Sequence, residues 1–475
     1  MIFGSLQLID AVIILIYVTG CVVIGLYKAR NITNIREYTI GSGRFHDVVI
    51  VSTIFATLIS ASATTGTVEK IYAYGLFFAI PRIIAPLCLV IMIKIYGEHI
   101  DQFKGCLSIS DIMHKLYGAY GRWITNFAAV ILTIGTVACQ AAAMGHVFNY
   151  FLGFSYEKSL YISILIMAIY SSMGGIRAVA FTDVFQLCVF VIAIPIACAT
   201  AYYDVGGYTG VIKSMPHELI TLNLNSSNIW LFLSLIVYSL IPSAEGAYIQ
   251  RFLMANGRDQ LVRSLKIVTL LGVLFMIMMC MVGFLIRAKD PNIDPNLAFI
   301  HFISHYVSAG TRGLVVAGLL AIIMSTADSW LNYASVLCAH DIVKKLVPKL
   351  SEKHELLLAR VSTFIIGGLA ATLASSESNI ISLIWLADNF WHPLILIPLS
   401  AGFLGFRANS VSFVISAISG IFFTVFAWRI VGEFATISLM MGITGSTLGL
   451  FITHYLQQHK KKLLTFLGMK IKNYI

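Results

Sequence analysis

The sequence predicts an all-α membrane protein with about 13 transmembrane helices, and three observations support this fold class. Hydrophobic residues make up 58% of the 475 residues and charged residues 11%, and the mean hydropathy is +0.87. Apolar stretches of about 20 residues, long enough to span a bilayer as a helix, recur along the chain. Basic residues concentrate in alternate connecting segments, as they do in cytoplasmic loops. This composition excludes the soluble multidomain protein that length alone would allow.

The apolar stretches define one polytopic domain over residues 1–475. The polar segments 204–227 and 341–356 are too short to form a separate domain. Residues 458–475 form a basic tail, for which topogenic charge and contact with the inner leaflet are alternatives. The predicted spans are 8–28, 48–68, 77–96, 122–151, 158–173, 179–203, 228–246, 264–287, 311–340, 357–376, 380–404, 409–429 and 434–457.

The net charge of +10 could suggest a nucleic-acid partner, but its distribution favours membrane topology instead. If the first loop is cytoplasmic, 24 of the 32 basic residues lie on the cytoplasmic side, as the positive-inside rule expects. The N-terminus is then outside, the C-terminus is cytoplasmic, and the number of spans is odd. No cleavable signal is expected, since the first span lacks a basic segment before it. The basic residues assigned to the inside are Lys28, Arg30, Arg36, Arg44, Lys94, Lys104, Lys115, Arg122, Arg177, Arg251, Arg258, Arg263, Lys266, Lys344, Lys345, Lys349, Lys353, Arg360, Arg407, Lys460, Lys461, Lys462, Lys470 and Lys472.

The sequence contains no pattern typical of an enzyme or of a transition-metal site. Its eight cysteines lie mostly in apolar stretches and form no CxxC pair, which favours small buried side chains over ligands or disulfides. HExxH, GxSxG and Walker motifs are absent from the sequence. We therefore expect neither covalent catalysis nor ATP hydrolysis.

Hydroxyl and carboxylate groups interrupt the apolar stretch that runs from Gly313 to Ala339. The sequence MSTADS at 324–329 contains three hydroxyls and one carboxylate. Hydrocarbon provides no water for these oxygens, so they need partners in the protein or a ligand. Several oxygens within about one helical turn can coordinate a small hard cation.

Two predicted spans are poorly suited to continuous helix. Residues 56–67 are a run of small and hydroxyl side chains, and residues 241–246 combine proline, glycine and glutamate. Proline removes a helical hydrogen bond and glycine permits unwinding. These spans are five apart, as expected for two inverted five-helix repeats with a binding site near the bilayer midplane. Ordinary packing through small residues is the alternative.

Four stretches resemble the sodium:solute symporter family, which includes proline, pantothenate and sugar carriers. They occur in the family's order over nearly the whole chain, and the second is the most specific. The resemblance implies a core of two inverted five-helix repeats, at 48–203 and 228–404, with additional helices at 8–28, 409–429 and 434–457. The stretches are Phe55–Ala61 with Gly66 and Tyr72–Gly75, Gly174–Gln186, Ile249–Ala255 and Met324–Asn332.

The resemblance implies one sodium site between the broken second span and the ninth span. Its ligands would be the backbone carbonyls of Ala56, Ile59 and Ile322 and the hydroxyls of Ser325 and Thr326. Neutral oxygens of this kind suit a hard monovalent cation that must be released again. The alternative is that both hydroxyls bond to carbonyls of their own helix.

Two aspartates are expected to provide charge close to these ligands. The resemblance places Asp183 near the sodium on the intracellular exit path, and its alternative is a first-turn acid at a helix N-terminus. Asp328 lies three residues from Ser325 and so shares its helix face. Asp328 would hold a second cation or a proton, or pair with a buried base.

The resemblance also places substrate-binding residues near the midplane. Glu245 and Arg82 align with substrate-contacting positions, and Tyr248 falls near an aromatic inner gate. Arg82 and Glu245 could bind the carboxylate and amine of a zwitterion or pair with each other, and Arg82 could instead snorkel to the interface. Ser60 and Ala63, on the broken second span, are assigned to the same site.

A polar segment in the eleventh span completes the predicted substrate site. Asp388 is assigned a polar contact with substrate and Trp391 a lid, the alternative being an interfacial aromatic belt. His392 has no partner at metal-ligand spacing in the sequence, so sodium is the sole metal ion expected.

The sequence as a whole predicts a sodium-coupled symporter of the cell membrane, without a cofactor, that imports a small organic solute. An amino acid such as proline is the first expectation, although Leu58 stands where some relatives, including proline carriers, have aspartate. Symport of pantothenate, another carboxylate or a sugar is the alternative. A transporter-like solute sensor without net transport is another.

Overall fold

Helices account for the regular secondary structure of the described chain, as predicted. The computed structural model describes residues 6–29, 34–41, 45–222, 224–225, 228–242, 244–377, 379–432 and 434–466. The first half contains α1 (Leu8–Ala29), α2 (Ile35–Ile40), α3 (Asp47–Leu58), α4 (Thr65–Tyr74), α5 (Leu76–Ile84), α6 (Cys88–Ile95), α7 (Ile109–Leu152), α8 (Tyr156–Val205), α9 (Gly207–Ser214) and α10 (His217–Ile220).

The second half contains two π-helical segments, Leu337–Val343 and His392–Leu396. Its α-helices are α11 (Ile229–Ser239), α12 (Gly246–Met254), α13 (Arg258–Lys289), α14 (Ala298–Tyr306), α15 (Thr311–Val336), α16 (Lys344–Leu346), α17 (Glu352–Ser376), α18 (Ile380–Trp391), α19 (Ile397–Phe403), α20 (Ser410–Val431) and α21 (Thr436–Phe466).

Ten segments of the described chain are long and apolar enough to cross a membrane. They are Leu8–Lys28, Leu76–Ile95, Ile109–Leu152, Gly174–Val205, Arg258–Lys289, Thr311–Leu346, Glu352–Ser376, Ile380–Phe403, Ser410–Val431 and Thr436–Lys460. The shorter apolar helices α3 and α11 are additional.

The two interruptions predicted from the sequence are confirmed. Helix α3 ends at Leu58 and α4 begins at Thr65, whereas α11 ends at Ser239 and α12 begins at Gly246. Gly246 permits a close approach there, because a Cβ atom on it would lie 1.9 Å from Cζ of Tyr333 in α15. The end of α3 and the start of α12 therefore both contact α15, next to the interruptions.

The predicted fifth and sixth spans are two helical parts that meet at a sharp kink, and α8 denotes both. In α8 the backbone of Gly175 has φ 53° and ψ −170°, which glycine adopts readily and other residues rarely do. A Cβ atom there would also lie 2.7 Å from Cδ2 of Tyr38. The glycine pair at 174–175 thus separates the two helical parts of α8 and changes the direction of the chain between them.

Helix α15 forms the centre of the molecule. Its side chains are buried from Val315 to Val336, and it packs against α1, α7, α8 and α17. Helices α20 and α21 pack on each other at the periphery, where Ile418 and Phe422 are exposed, as suits a face toward lipid. The hydroxyl cluster of α15 consequently lies inside the protein.

Arg251 departs from the position expected from the sequence. The positive-inside rule places it among the basic residues of a cytoplasmic loop, but it lies in α12 with none of its surface exposed. Burial of a guanidinium requires hydrogen-bond and charge partners, and these lie beside the candidate site described below.

Candidate functional site

The end of α3 presents carbonyl oxygens that have lost their helical partners. The last four carbonyls of any helix lack intrahelical donors, and here the chain leaves the helix at Ile59, with φ −90° and ψ 102°. The Ile59 N–H still bonds to Phe55 O at 2.9 Å. The carbonyls of Ala56 and Ile59 instead point toward α15.

The hydroxyls of Ser325 and Thr326 meet these carbonyls. Thr326 Oγ1 lies 3.1 Å from Ala56 O, 3.0 Å from Ile59 O and 3.3 Å from Ile322 O. Ser325 Oγ lies 3.4 Å from Ala56 O and 2.9 Å from Ile322 O. The structure therefore brings together all five oxygens predicted to bind a cation.

These separations are compatible with a small hard cation. Ligand oxygens about 2.4 Å from such an ion lie roughly 3.4 Å apart when they subtend a right angle. Both hydroxyls also approach Ile322 O in their own helix, so the in-helix bonding expected as an alternative occurs as well. The same hydroxyls also contact the carbonyls of Ala56 and Ile59 in α3. A serine or threonine that bonds only within its own helix makes no such contact with a second helix.

Asp183 and Asp328 are both fully buried. Thr53 Oγ1 in α3 donates a hydrogen bond of 2.6 Å to Asp183 Oδ2, which ties the kinked helix α8 to the first half of the broken span. The backbone carbonyl of Asp328 accepts a bond of 3.3 Å from Ser171 Oγ. Both carboxylates thus lie on helices that pack around the oxygen cluster.

A buried arginine, Arg251, lies beside this region, although the sequence did not predict it as a site residue. Arg251 Nη2 donates to Ser329 Oγ at 2.6 Å, and Nη1 donates to Gln250 Oε1 at 3.1 Å. Its charge is close enough to interact with Asp183 and Asp328. The signal was present in the sequence, because Arg251 follows the predicted break by few residues and Ser329 belongs to the 324–329 cluster.

A cavity of about 180 Å³ adjoins the oxygen cluster. Six of the seven predicted substrate residues line it: Ser60, Ala63, Arg82, Glu245, Tyr248 and Asp388. Thr326 and Leu58 contribute to its wall, so the candidate cation site and the cavity share residues. The other lining residues are Thr57, Ser62, Ala85, Pro86, Cys88, Leu89, Met92, Thr136, Gln140, Tyr238, Ser239, Ile241, Met276, Trp330 and Ile384.

Arg82 and Glu245 both face the cavity but do not pair with each other. In the described part of the chain no ion pair joins them, and both side chains are half-buried. A guanidinium and a carboxylate in one small cavity can bind opposite charges on one solute. The structural bridge considered from the sequence does not form in this conformation.

Asp388 belongs to a polar cluster that sequence spacing did not reveal. Tyr238 donates to Asp388 Oδ2 at 2.7 Å, and His392 Nδ1 lies 3.8 Å from Asp388 Oδ1. One ligand atom each from Glu245, Asp388 and His392 lies within 4.8 Å of the others. His392 therefore has Asp388 one helical turn before it and gains Glu245 as a neighbour through the fold.

Trp391 is not among the cavity-lining residues. It ends α18 and is 1% exposed, which also disagrees with a position in an interfacial belt. Its assignment as a lid stays a prediction. Gln140 was missed, although its Oε1 accepts a 3.0 Å bond from the Ala61 N–H and so fixes the unwound segment beside the cavity.

Comparison with known proteins identifies the class to which this fold and site belong. Residues 38–420 match the model of the sodium:solute symporter family. The chain belongs to that family and is a sodium-coupled solute symporter, a multi-pass membrane protein and not an enzyme.

Two curated relatives illustrate the range of the family. The chain is 23% identical to the sodium/proline symporter of Salmonella typhimurium over 463 residues, covering 92% of this chain and 91% of the relative. It is 23% identical to the sodium/pantothenate symporter of Haemophilus influenzae over 398 residues, covering 80% and 81%.

Solved structures show the same fold. A substrate-bound, outward-open Na⁺-coupled sialic acid symporter superposes with a TM-score of 0.83 at 19% identity, covering 95% of this chain and 98% of that one. Mhp1, a nucleobase-cation-symport-1 family transporter, superposes with a TM-score of 0.54 at 13% identity, covering 88% of this chain and 93% of that one.

Proposed function

We propose that this symporter imports a small zwitterionic solute, an amino acid such as proline, together with sodium. The observation that carries the proposal is the contact between the Ser325 and Thr326 hydroxyls and the Ala56 and Ile59 carbonyls, beside a cavity. With Ile322 O, these atoms form the proposed sodium site. Asp183 and Asp328 provide negative charge just outside it.

The cavity supports a solute that carries both charges. Arg82 would bind a carboxylate and Glu245 an amine, while Asp388, held by Tyr238, adds a second acceptor. Ser60, Ala63 and Tyr248 would contact the remainder of the solute. Trp391 is retained as a proposed lid that would act in another conformation. Pantothenate, another carboxylate and a sugar are the competing solutes.

The proposed mechanism is alternating access in a chain of thirteen spans with two inverted five-helix repeats. Ten long apolar segments, the two interrupted spans and the Tyr156 half of α8 together make thirteen. We propose that the N-terminus is outside and the C-terminus cytoplasmic. Sodium binding would favour the outward-open state, and each charge moved inward gains about 2.3 kcal/mol per 100 mV.

Uptake into proteoliposomes tests the proposal. The purified protein is reconstituted and offered radiolabelled proline, other amino acids, pantothenate, a monocarboxylate and a hexose, with and without an inward sodium gradient. Sodium-driven accumulation of a zwitterion is the expected result. Accumulation of a sugar or a simple carboxylate alone would reassign the solute, and binding without accumulation would favour the sensor.

A further inference from the structure

A second polar cluster lies at the far end of α15, away from the solute cavity. It contains Asp111, in the first turn of α7, and His340 and Asp341, in the π-helical segment Leu337–Val343. One ligand atom from each lies within 4.8 Å of the other two. A π-helical segment inside a long helix is itself frequently associated with a functional site.

The hydrogen bonding of His340 is compatible with metal coordination. Its Nδ1 lies 2.9 Å from Glu355 Oε1, whereas its Nε2 faces Asp111 Oδ2 at 3.9 Å. The first distance is a hydrogen bond, and the second is too long for one. Metal-bound histidines commonly donate their other ring N–H to a carboxylate, which leaves the free nitrogen to coordinate.

The two aspartates are held in a similar way. Arg122 Nη2 binds Asp111 Oδ1 at 3.2 Å, and Ser108 Oγ donates to Asp341 Oδ1 at 2.7 Å. The second oxygen of Asp341 is buried and has no hydrogen-bond partner in the described chain. A fully buried carboxylate oxygen without a donor is costly, and a cation would satisfy it.

The charges of the cluster leave room for a divalent cation. Asp111, Asp341 and Glu355 supply three negative charges. Arg122, Lys344, whose Nζ lies 3.9 Å from Glu355 Oε2, and Lys345, whose charge acts on Asp341, supply three positive charges. With a neutral imidazole the net charge of the cluster is zero, so no net positive charge opposes the approach of a divalent cation.

The site is accessible. The side chains of Asp111 and His340 are 18% and 12% exposed, and the cluster falls at the ends of the predicted spans 122–151, 311–340 and 357–376. An ion could enter from the aqueous side without crossing hydrocarbon.

We propose that Asp111, His340 and Asp341 form a binding site for a first-row divalent transition-metal ion such as Zn²⁺. Imidazole with carboxylates suits zinc, whereas magnesium and calcium prefer oxygen alone. Three protein ligands and water complete a tetrahedral site. The bound ion links the start of α7 to the end of the segment that carries Ser325 and Thr326.

Zinc titration of the full-length protein tests this site. His301 and His305, which stack near the opposite end of α15 with Asp290 close by, would add background binding. His392, which lies with Glu245 and Asp388 in another group of possible ligands, would add to it. Calorimetry and elemental analysis therefore use a His301→Gln/His305→Gln/His392→Gln background. One tightly held Zn²⁺ per chain is expected, with affinity at least tenfold lower after His340→Gln or Asp341→Asn and about 10- to 100-fold lower after Glu355→Gln.

Matched controls leave the cluster intact. His354→Gln and Asp101→Asn change an exposed histidine and an exposed aspartate outside it, and zinc affinity should not change. Equal zinc binding by the cluster variants and the background protein would overturn the proposal, as would failure of the background protein to bind.

X-ray absorption at the zinc edge distinguishes a nitrogen and oxygen site from a cysteine site even if the variants fold poorly. Nitrogen and oxygen neighbours at about 2.0–2.1 Å are expected. Sulfur at about 2.3 Å would assign the metal to cysteine, for example Cys106 or Cys338, and reject the site.

Discussion

Thr326 is the side chain that joins the two halves of the proposed sodium site. Its hydroxyl contacts both free carbonyls at the end of α3 and one in its own helix. Because the separate serine and threonine hydroxyls converge on the same carbonyls, their individual losses are expected to be non-additive.

Replacing Thr326 by alanine should weaken sodium coupling. The loss of one ligand oxygen costs about 1.5–3 kcal/mol, which raises the half-saturating sodium concentration for uptake about 10- to 100-fold. Thr326→Ser keeps the hydroxyl and should retain most of the affinity. Sodium titration of solute uptake in proteoliposomes measures the effect.

Thr363→Ala provides the control. Thr363 is also buried but bonds only to Ala359 O in its own helix, at 3.2 Å, among the described contacts. The sodium dependence of uptake by the Thr363→Ala variant should match that of the wild-type protein. Unchanged sodium dependence in Thr326→Ala would contradict the assigned ligand.

At the scale of elements, the interrupted helices position both the cation oxygens and the cavity. Small residues allow α12 to begin against α15, and the unwound 59–64 segment is fixed by Gln140 and by bonds back to Ala61 O. If the first interruption were continuous helix, the Ile59 carbonyl would be withdrawn from its contact with Thr326.

Gly246→Ala should disturb the second interruption. The new Cβ would overlap the Tyr333 ring, and overpacking of this kind costs about 1–3 kcal/mol. We expect a lower thermal unfolding temperature and reduced uptake. Combining the change with Tyr333→Leu should give less loss than the two single changes added together, since the two residues are in contact.

A glycine with free space serves as the comparison. Gly368 in α17 has nothing within 4 Å of the position that an alanine Cβ would occupy, so Gly368→Ala should be neutral or slightly stabilising through helix propensity. If Gly246→Ala behaved like Gly368→Ala, the close approach of α12 to Tyr333 would not be the reason why position 246 requires glycine.

For the whole molecule, the basic residues make a prediction about orientation. Lys353 lies in a segment assigned to the cytoplasm, whereas Lys213 lies in one assigned to the outside; both are exposed. In a cysteine-free background, an impermeant maleimide should label Lys213→Cys in intact cells. Lys353→Cys should be labelled after the membrane is made permeable.

Accessibility after permeabilisation controls for local burial, since both positions must then react. The reverse labelling pattern would show that the N-terminus is cytoplasmic, contrary to the proposed topology. The positive-inside rule counts basic residues near span ends. The buried Arg251 is therefore removed from the count, but the excess of basic residues stays on the same side.

The sequence by itself determined the helical class, the family resemblance and the five oxygens of the candidate cation site. Hydrocarbon forces long apolar stretches into helices, and glycine, proline and hydroxyl runs mark where helices break. The family resemblance, rather than these local signals, pointed to Arg82 and Glu245.

Tertiary structure alone decided which distant groups meet. Arg251 became a buried partner of Ser329, Trp391 lay outside the cavity, and His392 and His340 each gained carboxylate neighbours through helix packing. The spacing of residues along one chain does not specify contacts between helices. Those contacts arise because α15 is surrounded by other helices, which bring together groups hundreds of residues apart.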